Sequence, residues 1–188
     1  MKHYVDIEVL PDAEFSPVDL MNALFAKLHR VLGQHGKGRV GISFPSYAKT
    51  LGRKLRLHGS AEELQTLLEL PWQQGMRDYT KISHILAVPD NCQYRTVKRV
   101  QAKSVHNKEK RAKAMRNAAE AWRSSEEKRQ VMPTFTQKTL ELPYAELMSL
   151  STQSRMRVWV EHGALQAEEK GGAFNSYGLS SEATIPWF

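Results

Sequence analysis

From Tyr4 to Leu10 the sequence alternates, with Val5, Ile7 and Val9 on one side and Tyr4, Asp6 and Glu8 on the other. A period of two is the mark of a strand with one buried face. Pro11 and Asp12 end it. Ser16 then offers a helix cap, with Pro17 at the first helical position and Asp19 in the first turn. Leu20, Leu24, Leu28, Val31 and Leu32 recur at helical spacing, which predicts a buried stripe. Gly33 and Gly36 are the expected stop. Residues 39–44 read as a second strand broken by Pro45, and Lys54 to His58 alternates as a third. Ser60 and Glu63 have the spacing of a capping box ahead of a helix carrying Leu64, Leu67, Leu68 and Leu70, closed by Pro71. Ser83 to Val88 reads as a fourth strand, stopped by Pro89. Strand, helix, strand, strand, helix, strand is the order of the ferredoxin-like split βαβ fold. That order constrains architecture and leaves activity open.

Pro89-Asp90-Asn91-Cys92 is the expected boundary, giving domains 1–91 and 92–188. The class is therefore α+β, a ferredoxin-like domain followed by a smaller α+β domain. The second part opens on the stretch Val97 to Ser104, a short strand carrying Arg99 and Gln101, that feeds at once a basic helix ending near Ser124. Between Val97 and Ser124 there are nine lysines and arginines but only Glu109 and Glu120 to offset them. The chain as a whole carries a formal net charge of +7. Such a run fits a solvated surface face, and it equally fits a helix laid along phosphates. Arg99 and Gln101 tilt the balance toward nucleic acid. Two apart on a strand, they share a face, and Arg and Gln are the side chains that fork onto guanine and adenine. Further on, residues 139–152 hold a strand interrupted by Pro143, and Arg155 to Val160 alternates as another. His162 reads as a turn residue, and Phe174 to Leu179 as a short strand or turn. The closing Pro186-Trp187-Phe188 is expected to dock on the core.

Seven histidines are present, but none forms an H-x-x-x-H pair, and the lone Cys92 cannot build a zinc knuckle. There is no Walker loop, no G-x-G-x-x-G and no evident carboxylate cluster for two metals. The expectation is a site with no metal and no cofactor. One cysteine also suits a reducing compartment. Residues 1–8 carry no apolar leader, and no apolar run approaches membrane-spanning length, so the expected setting is the cytoplasm, without a membrane. Metal-free RNA cleavage needs little from a protein, because the substrate brings its own nucleophile, the ribose 2′-OH. The protein must orient that hydroxyl, help remove its proton and stabilise charge at phosphorus. Histidine suits the proton and serine the orientation. His29 lies at the edge of the first helix's stripe, near its C-terminus, where a protonated imidazole is favoured. On position alone it reads more simply as a boundary residue. Ser149 and Ser151 would share a strand face, which is also ordinary strand polarity.

Several runs go further. His3-Tyr4-Val5-Asp6-Ile7, Leu24-Phe25-Ala26-Lys27-Leu28-His29, Gly41-Ile42-Ser43-Phe44-Pro45, Arg99-Val100-Gln101-Ala102-Lys103-Ser104, Tyr177-Gly178-Leu179-Ser180 and the terminal Pro186-Trp187-Phe188 occur together. In these the chain resembles, nearly end to end, the Csy-type endoribonuclease family that processes CRISPR RNA in type I-F systems. The resemblance implies the ferredoxin-like domain and a second domain bearing a basic RNA-binding helix. It implies metal-free cutting at the 3′ base of the CRISPR repeat hairpin, leaving a cyclic phosphate. It also implies retention of the product and assembly with other subunits of the type I-F surveillance complex. It places the catalytic histidine on His29, the serines on Ser149 and Ser151, and the tyrosine that holds the histidine on Tyr177. Arg99 and Gln101 take the base-reading positions. Lys103, Lys110, Arg111, Lys113 and Arg116 take the phosphate contacts, on a helix diluted with alanine. Met156 stands where the family has an aromatic beside the scissile site. The reading from another class is a hairpin-RNA-binding subunit with little or no cleavage.

Overall fold

The computed structural model describes residues 1–101, 141–149 and 154–188. Met1–Val100 and Leu142–Phe188 form one compact unit. Its first part has strands β1 (His3–Val9), β2 (Gly41–Ser43), β3 (Lys54–Gly59), β4 (Thr80–Ile82) and β5 (Leu86–Ala87), and helices α1 (Pro17–His35) and α2 (Ala61–Glu69). The strand order is β2-β3-β1-β4, all antiparallel, with β5 also on β1. This is the ferredoxin-like arrangement the sequence predicts. The remaining strands are β6 (Gln93–Arg95), β7 (Val97–Val100), β8 (Tyr144–Met148), β9 (Arg155–His162) and β10 (Ile185–Trp187). They pair as β10-β6 and as β7-β9-β8. The class is α+β.

Both predicted caps are present. Ser16 accepts from the Asp19 N–H, and Ser60 and Glu63 close the full capping box. The stop of α1 differs from expectation. Gly33 lies inside the helix, which runs on to His35 with Gly36 as its C-cap. A Cβ at Gly33 would meet Ser176 Cβ at 3.5 Å, an ordinary contact, so the glycine is not an end and the space does not demand it. The predicted fourth strand is two short strands. β4 starts three residues earlier than expected, and Ser83 steps out of line between β4 and β5, where its hydroxyl accepts from the Asp6 N–H at 2.9 Å. His162 is the last residue of β9, stacked on Tyr47 at 3.7 Å, and not a turn. Burial, then the nearby Arg95 guanidinium, holds its pKa down at about 4. Phe174 to Leu179 forms no strand; residues 176–178 are a turn.

One core runs through the unit. Val5, Ile7, Val9, Leu55 and Leu57 from the five-stranded sheet join Val97, Ala145, Leu147, Val158 and Val160 from the three-stranded one. The opposite face of the five-stranded sheet is covered too. There the Arg56 guanidinium lies against the rings of both Tyr4 and Phe188, at 4.6 and 4.1 Å, and forks onto Asp6 at 2.6 and 3.0 Å. His58 is on the same face, fully buried, with its Nε2 2.8 Å from Ser43 Oγ on β2. Among the described residues no helix is long and apolar enough to cross a membrane.

The turn at residues 175–179 is fixed by short-range hydrogen bonds. Asn175 Oδ1 accepts from the N–H groups of Tyr177 (2.8 Å) and Leu179 (3.2 Å), and the Gly178 N–H donates to the Asn175 carbonyl. Gly178 has φ +71°, and its carbonyl accepts from the Ile42 N–H on β2 at 2.9 Å. A Cβ there would sit 2.7 Å from Ile42 Cγ2.

Two stability predictions follow from these contacts. Gly178→Ala should cost about 2–4 kcal/mol, combining left-handed strain with a clash against β2. Urea unfolding read by fluorescence measures it, and a loss under about 1 kcal/mol would contradict the packing described. His58 is held at about 3 by burial, then by Arg56, against an ordinary 6.5. Its stabilising contribution is complete above about 6.5 and is lost as pH falls toward 3, at up to about 1.4 kcal/mol per unit. Between pH 6.5 and 5 the wild type should therefore lose roughly 2 kcal/mol more than His58→Gln. Parallel pH profiles for the two proteins would show that His58 is not buried as a neutral ring.

Candidate functional site

The His29 imidazole stacks on the Tyr177 ring, with centroids 3.9 Å apart and an interplanar angle of 3°. Two features of the chain bring them together. On α1, His29 follows Met21 and Phe25 at intervals of four, so it continues a buried row. It is half-buried itself, and Phe25 also approaches Tyr177, at 6.1 Å. On the other side, the Asn175–Leu179 turn holds Tyr177 against β2. The ring is locked in its plane as well. His29 Nδ1 donates to the Ser176 carbonyl at 3.0 Å. A carbonyl can only accept, so Nδ1 carries the hydrogen and the neutral ring has its lone pair on Nε2. His29 lies six residues before the end of α1. That is more than a turn and a half from the helix end, and the macrodipole fades within the last turn.

His29 and Tyr177 line a cleft of about 310 Å³ together with Arg30, Leu147, Met148, Ser149 and Met156. Four of the residues singled out in the sequence thus share one cavity wall: His29, Ser149, Met156 and Tyr177. Leu147 and Met156 face each other across β8 and β9. Ser149 has left β8, which ends at Met148, and its N–H donates to the Ser154 carbonyl at 2.9 Å. It is therefore not a strand residue, as the alternation implied. Ser151 lies outside the described residues.

Arg99 is on β7, and its guanidinium carbon lies 4.8 Å over the Tyr177 ring. With the imidazole covering one face of that ring, the guanidinium has the other. Arg99 Nε is buried and has no hydrogen-bond partner among the described residues. Gln101 is exposed and falls just past the end of β7, so the shared strand face expected for Arg99 and Gln101 does not form. Lys103, Lys110, Arg111, Lys113 and Arg116 lie outside the described residues. Two contributors were missed in the sequence. Arg30 was visible as a charge, but which cavity it lines depends on how α1 packs. The Ser176 carbonyl, which fixes the imidazole tautomer, has no side-chain signature at all. Among the described residues no group of three or more His, Cys, Asp or Glu side chains stands close enough to hold a metal ion.

The arrangement offers a fixed imidazole whose Nε2 holds the lone pair, a hydroxyl and the Arg30 side chain around one cleft, with Arg99 against the Tyr177 ring. That is equipment for moving a proton beside an anion. Comparison with known proteins agrees in scope. Residues 4–188 match the family model described as CRISPR-associated protein (Cas_Csy4). The chain is 44% identical, over 188 residues and the full length of both, to the CRISPR-associated endonuclease Cas6/Csy4 of Escherichia coli (strain UTI89 / UPEC). It is 41% identical, over 191 residues and again the full length of both, to the protein of the same description from Pseudomonas aeruginosa (strain UCBPP-PA14). With the family model spanning all but the first three residues, the chain belongs to the Cas_Csy4 family of CRISPR-associated proteins.

Proposed function

We propose that this protein is a metal-independent endoribonuclease. It binds the hairpin of a CRISPR repeat and cuts the precursor RNA once, at the 3′ base of the stem. The observation that carries the reading is the His29 imidazole, stacked on Tyr177 and tied through Nδ1 to Ser176, in one cleft with Ser149. Endonuclease is also the printed description of both relatives. In this mechanism Nε2 of His29 takes the proton of the ribose 2′-OH. The 2′ oxygen forms a bond to phosphorus as the bond to the 5′ oxygen breaks, and that oxygen takes a proton from solvent. The products are a 2′,3′-cyclic phosphate and a free 5′-hydroxyl. Ser149, with Ser151 as the second serine, orients the attacking hydroxyl, and Tyr177 holds the imidazole so that no reorganisation is needed. No cofactor takes part.

Residues 1–91 carry the histidine in this reading, and residues 92–188 carry the RNA-binding surface with the serines and tyrosine. Arg99 and Gln101 read a guanine and an adenine. Lys103, Lys110, Arg111, Lys113 and Arg116 hold phosphates, and Met156 packs beside the scissile nucleotide. The unpartnered Arg99 Nε supports a ligand contact, since buried donors are normally satisfied. The protein keeps the cut hairpin and joins the other subunits of the type I-F surveillance complex in the cytoplasm.

The test is cleavage in EDTA of an RNA carrying the CRISPR repeat of the same genome, beside a copy with a 2′-deoxy sugar just upstream of the cut. Only the first should be cut. His29→Ala should slow cleavage by at least about 10²–10⁴-fold while hairpin binding survives. Tight binding with neither RNA cut would leave a hairpin-binding subunit instead. Arg99→Ala should weaken binding by roughly 1–3 kcal/mol and relax selectivity at one base pair. Equal weakening for every hairpin would mean that Arg99 contacts only the backbone.

A further inference from the structure

Arg99 makes a contact that base reading does not require. It follows Val97 by two on β7, so both side chains leave the same face of the strand, and Val97 is buried in the core. Across the ladder its partner is Val160 on β9, also buried. Lys98, on the other face, pairs with Glu161 at 2.9 Å. Among the described residues Arg99 has no such partner. A cation on the inward side of a strand needs something in place of water. Here it has the Tyr177 ring, 4.8 Å from the guanidinium carbon. The His29 imidazole lies parallel to that ring at 3.9 Å, so guanidinium, phenol and imidazole form three successive layers. The backbone joins the same parts. The Ser180 N–H donates to the Val97 carbonyl on β7 at 2.9 Å, the Gly178 carbonyl accepts from Ile42 on β2, and the Ser176 carbonyl accepts from His29 Nδ1. The segment that carries Tyr177 is therefore tied to β7 on one side and to the imidazole on the other.

We propose that Arg99 is a positioning residue for the cleavage step, acting on His29 through Tyr177. The inference rests on the endoribonuclease reading above, and it adds a second task to the residue assigned there to a base. The two tasks are compatible. A guanidinium stacks through its face and donates through its edge, so it can press on a ring and bond a base at once. The buried Nε, unpartnered among the described residues, is an edge donor still to be satisfied. Covered on both faces, the Tyr177 ring has no side on which to tilt. The imidazole stacked on it keeps the orientation that its Nδ1 bond to Ser176 sets.

The experiment separates binding from the cleavage step, with the full chain in excess over the repeat RNA so that the rate is read at saturation. Arg99→Met removes the charge and keeps the bulk. It should slow cleavage at saturation by about tenfold, beyond its loss of affinity. In a Tyr177→Leu background the same change should cost no further rate, because the ring through which it acts is gone, while its cost in affinity remains. Arg99→Lys keeps a cation for the ring and loses the fork, so it should recover most of the rate and little of the base selectivity. A readout without RNA comes from the His29 ring protons, which the parallel Tyr177 ring shifts upfield in the NMR spectrum. Arg99→Met should move them back toward their ordinary position. A wild-type rate at saturation in Arg99→Met would overturn the inference, and so would unmoved His29 resonances. A tenfold loss repeated in the Tyr177→Leu background would overturn it as well, and would mean that Arg99 aligns the RNA and not the ring. If Arg99→Met does not fold, Arg99→Lys decides, and rate and selectivity lost together would overturn the role. If the wild type cuts no repeat RNA, the endoribonuclease reading fails and takes this role with it, whereas failure of the role alone leaves cleavage by the wild type intact.

Discussion

The cleft depends on α1 being gripped from two sides. Leu20, Leu24, Leu28 and Val31 form one buried row, and Met21, Phe25 and Leu32 form a second beside it. A helix resting on a single sheet needs only one such stripe. Here the five-stranded sheet lies against α1 on one side, and β8 approaches it on another, with its Glu146 N–H donating to Asn22 Oδ1 at 3.0 Å. Each large apolar side chain buried this way contributes on the order of 1.5–3 kcal/mol. The helix therefore cannot roll or slide without losing several contacts at once. His29 inherits that rigidity, because it continues the second row and is half-buried within it.

Much of this was legible from local signals. The period of two in β1, the two helix caps and the row of leucines each stay within about ten residues, where propensity and pattern decide. The order of elements then limited the topology, and the ferredoxin-like sheet followed. What could not be read depended on contacts distant in sequence. Gly33 looks like a helix stop, but α1 runs on past it to His35, and the residue facing it, Ser176, is more than a hundred residues away. The break at Ser83 answers to Asp6 on β1 and not to any turn signal nearby. His29 alone reads as a boundary residue. Its stack, its tautomer and its cavity come from residues 149, 156, 176 and 177; family resemblance placed 149, 156 and 177 beside it, and nothing in the sequence pointed to 176. Arg99 shows the reverse. Its residue type was conspicuous, while its position over Tyr177 had no signature in the sequence.

The covered face of the five-stranded sheet bears on where a ligand can bind. In many folds of this kind that face is open and displays aromatic rings to bases. Here Tyr4 meets Phe188 edge to face at 4.8 Å, and the Arg56 guanidinium lies against both rings while bonded to Asp6. The guanidinium is well satisfied, by two bonds to Asp6 and one to the Phe188 carbonyl at 3.2 Å. Removing one member of such a pair strands the other, at a cost of about 3–5 kcal/mol. Arg56 and His58 on this face are buried, Tyr4 and Asp6 are half-buried, and Phe188 is exposed at its margin, so the face is partly occupied from within the fold.

The bond from the Ile42 N–H to the Gly178 carbonyl has an effect beyond seating Tyr177. Strand β2 is an edge of its sheet and is only three residues long. Edge strands with free amides invite pairing with other chains, and so seed aggregation. Here an amide of that edge is already occupied from within, and Pro45 follows closely. At the other edge the chain is split into β4 and β5, with exposed Lys81 on the first. Among the described residues, neither margin of the sheet offers a continuous ladder to a second molecule. The turn that orients a ring in the cleft therefore also helps keep concentrated protein from joining edge to edge.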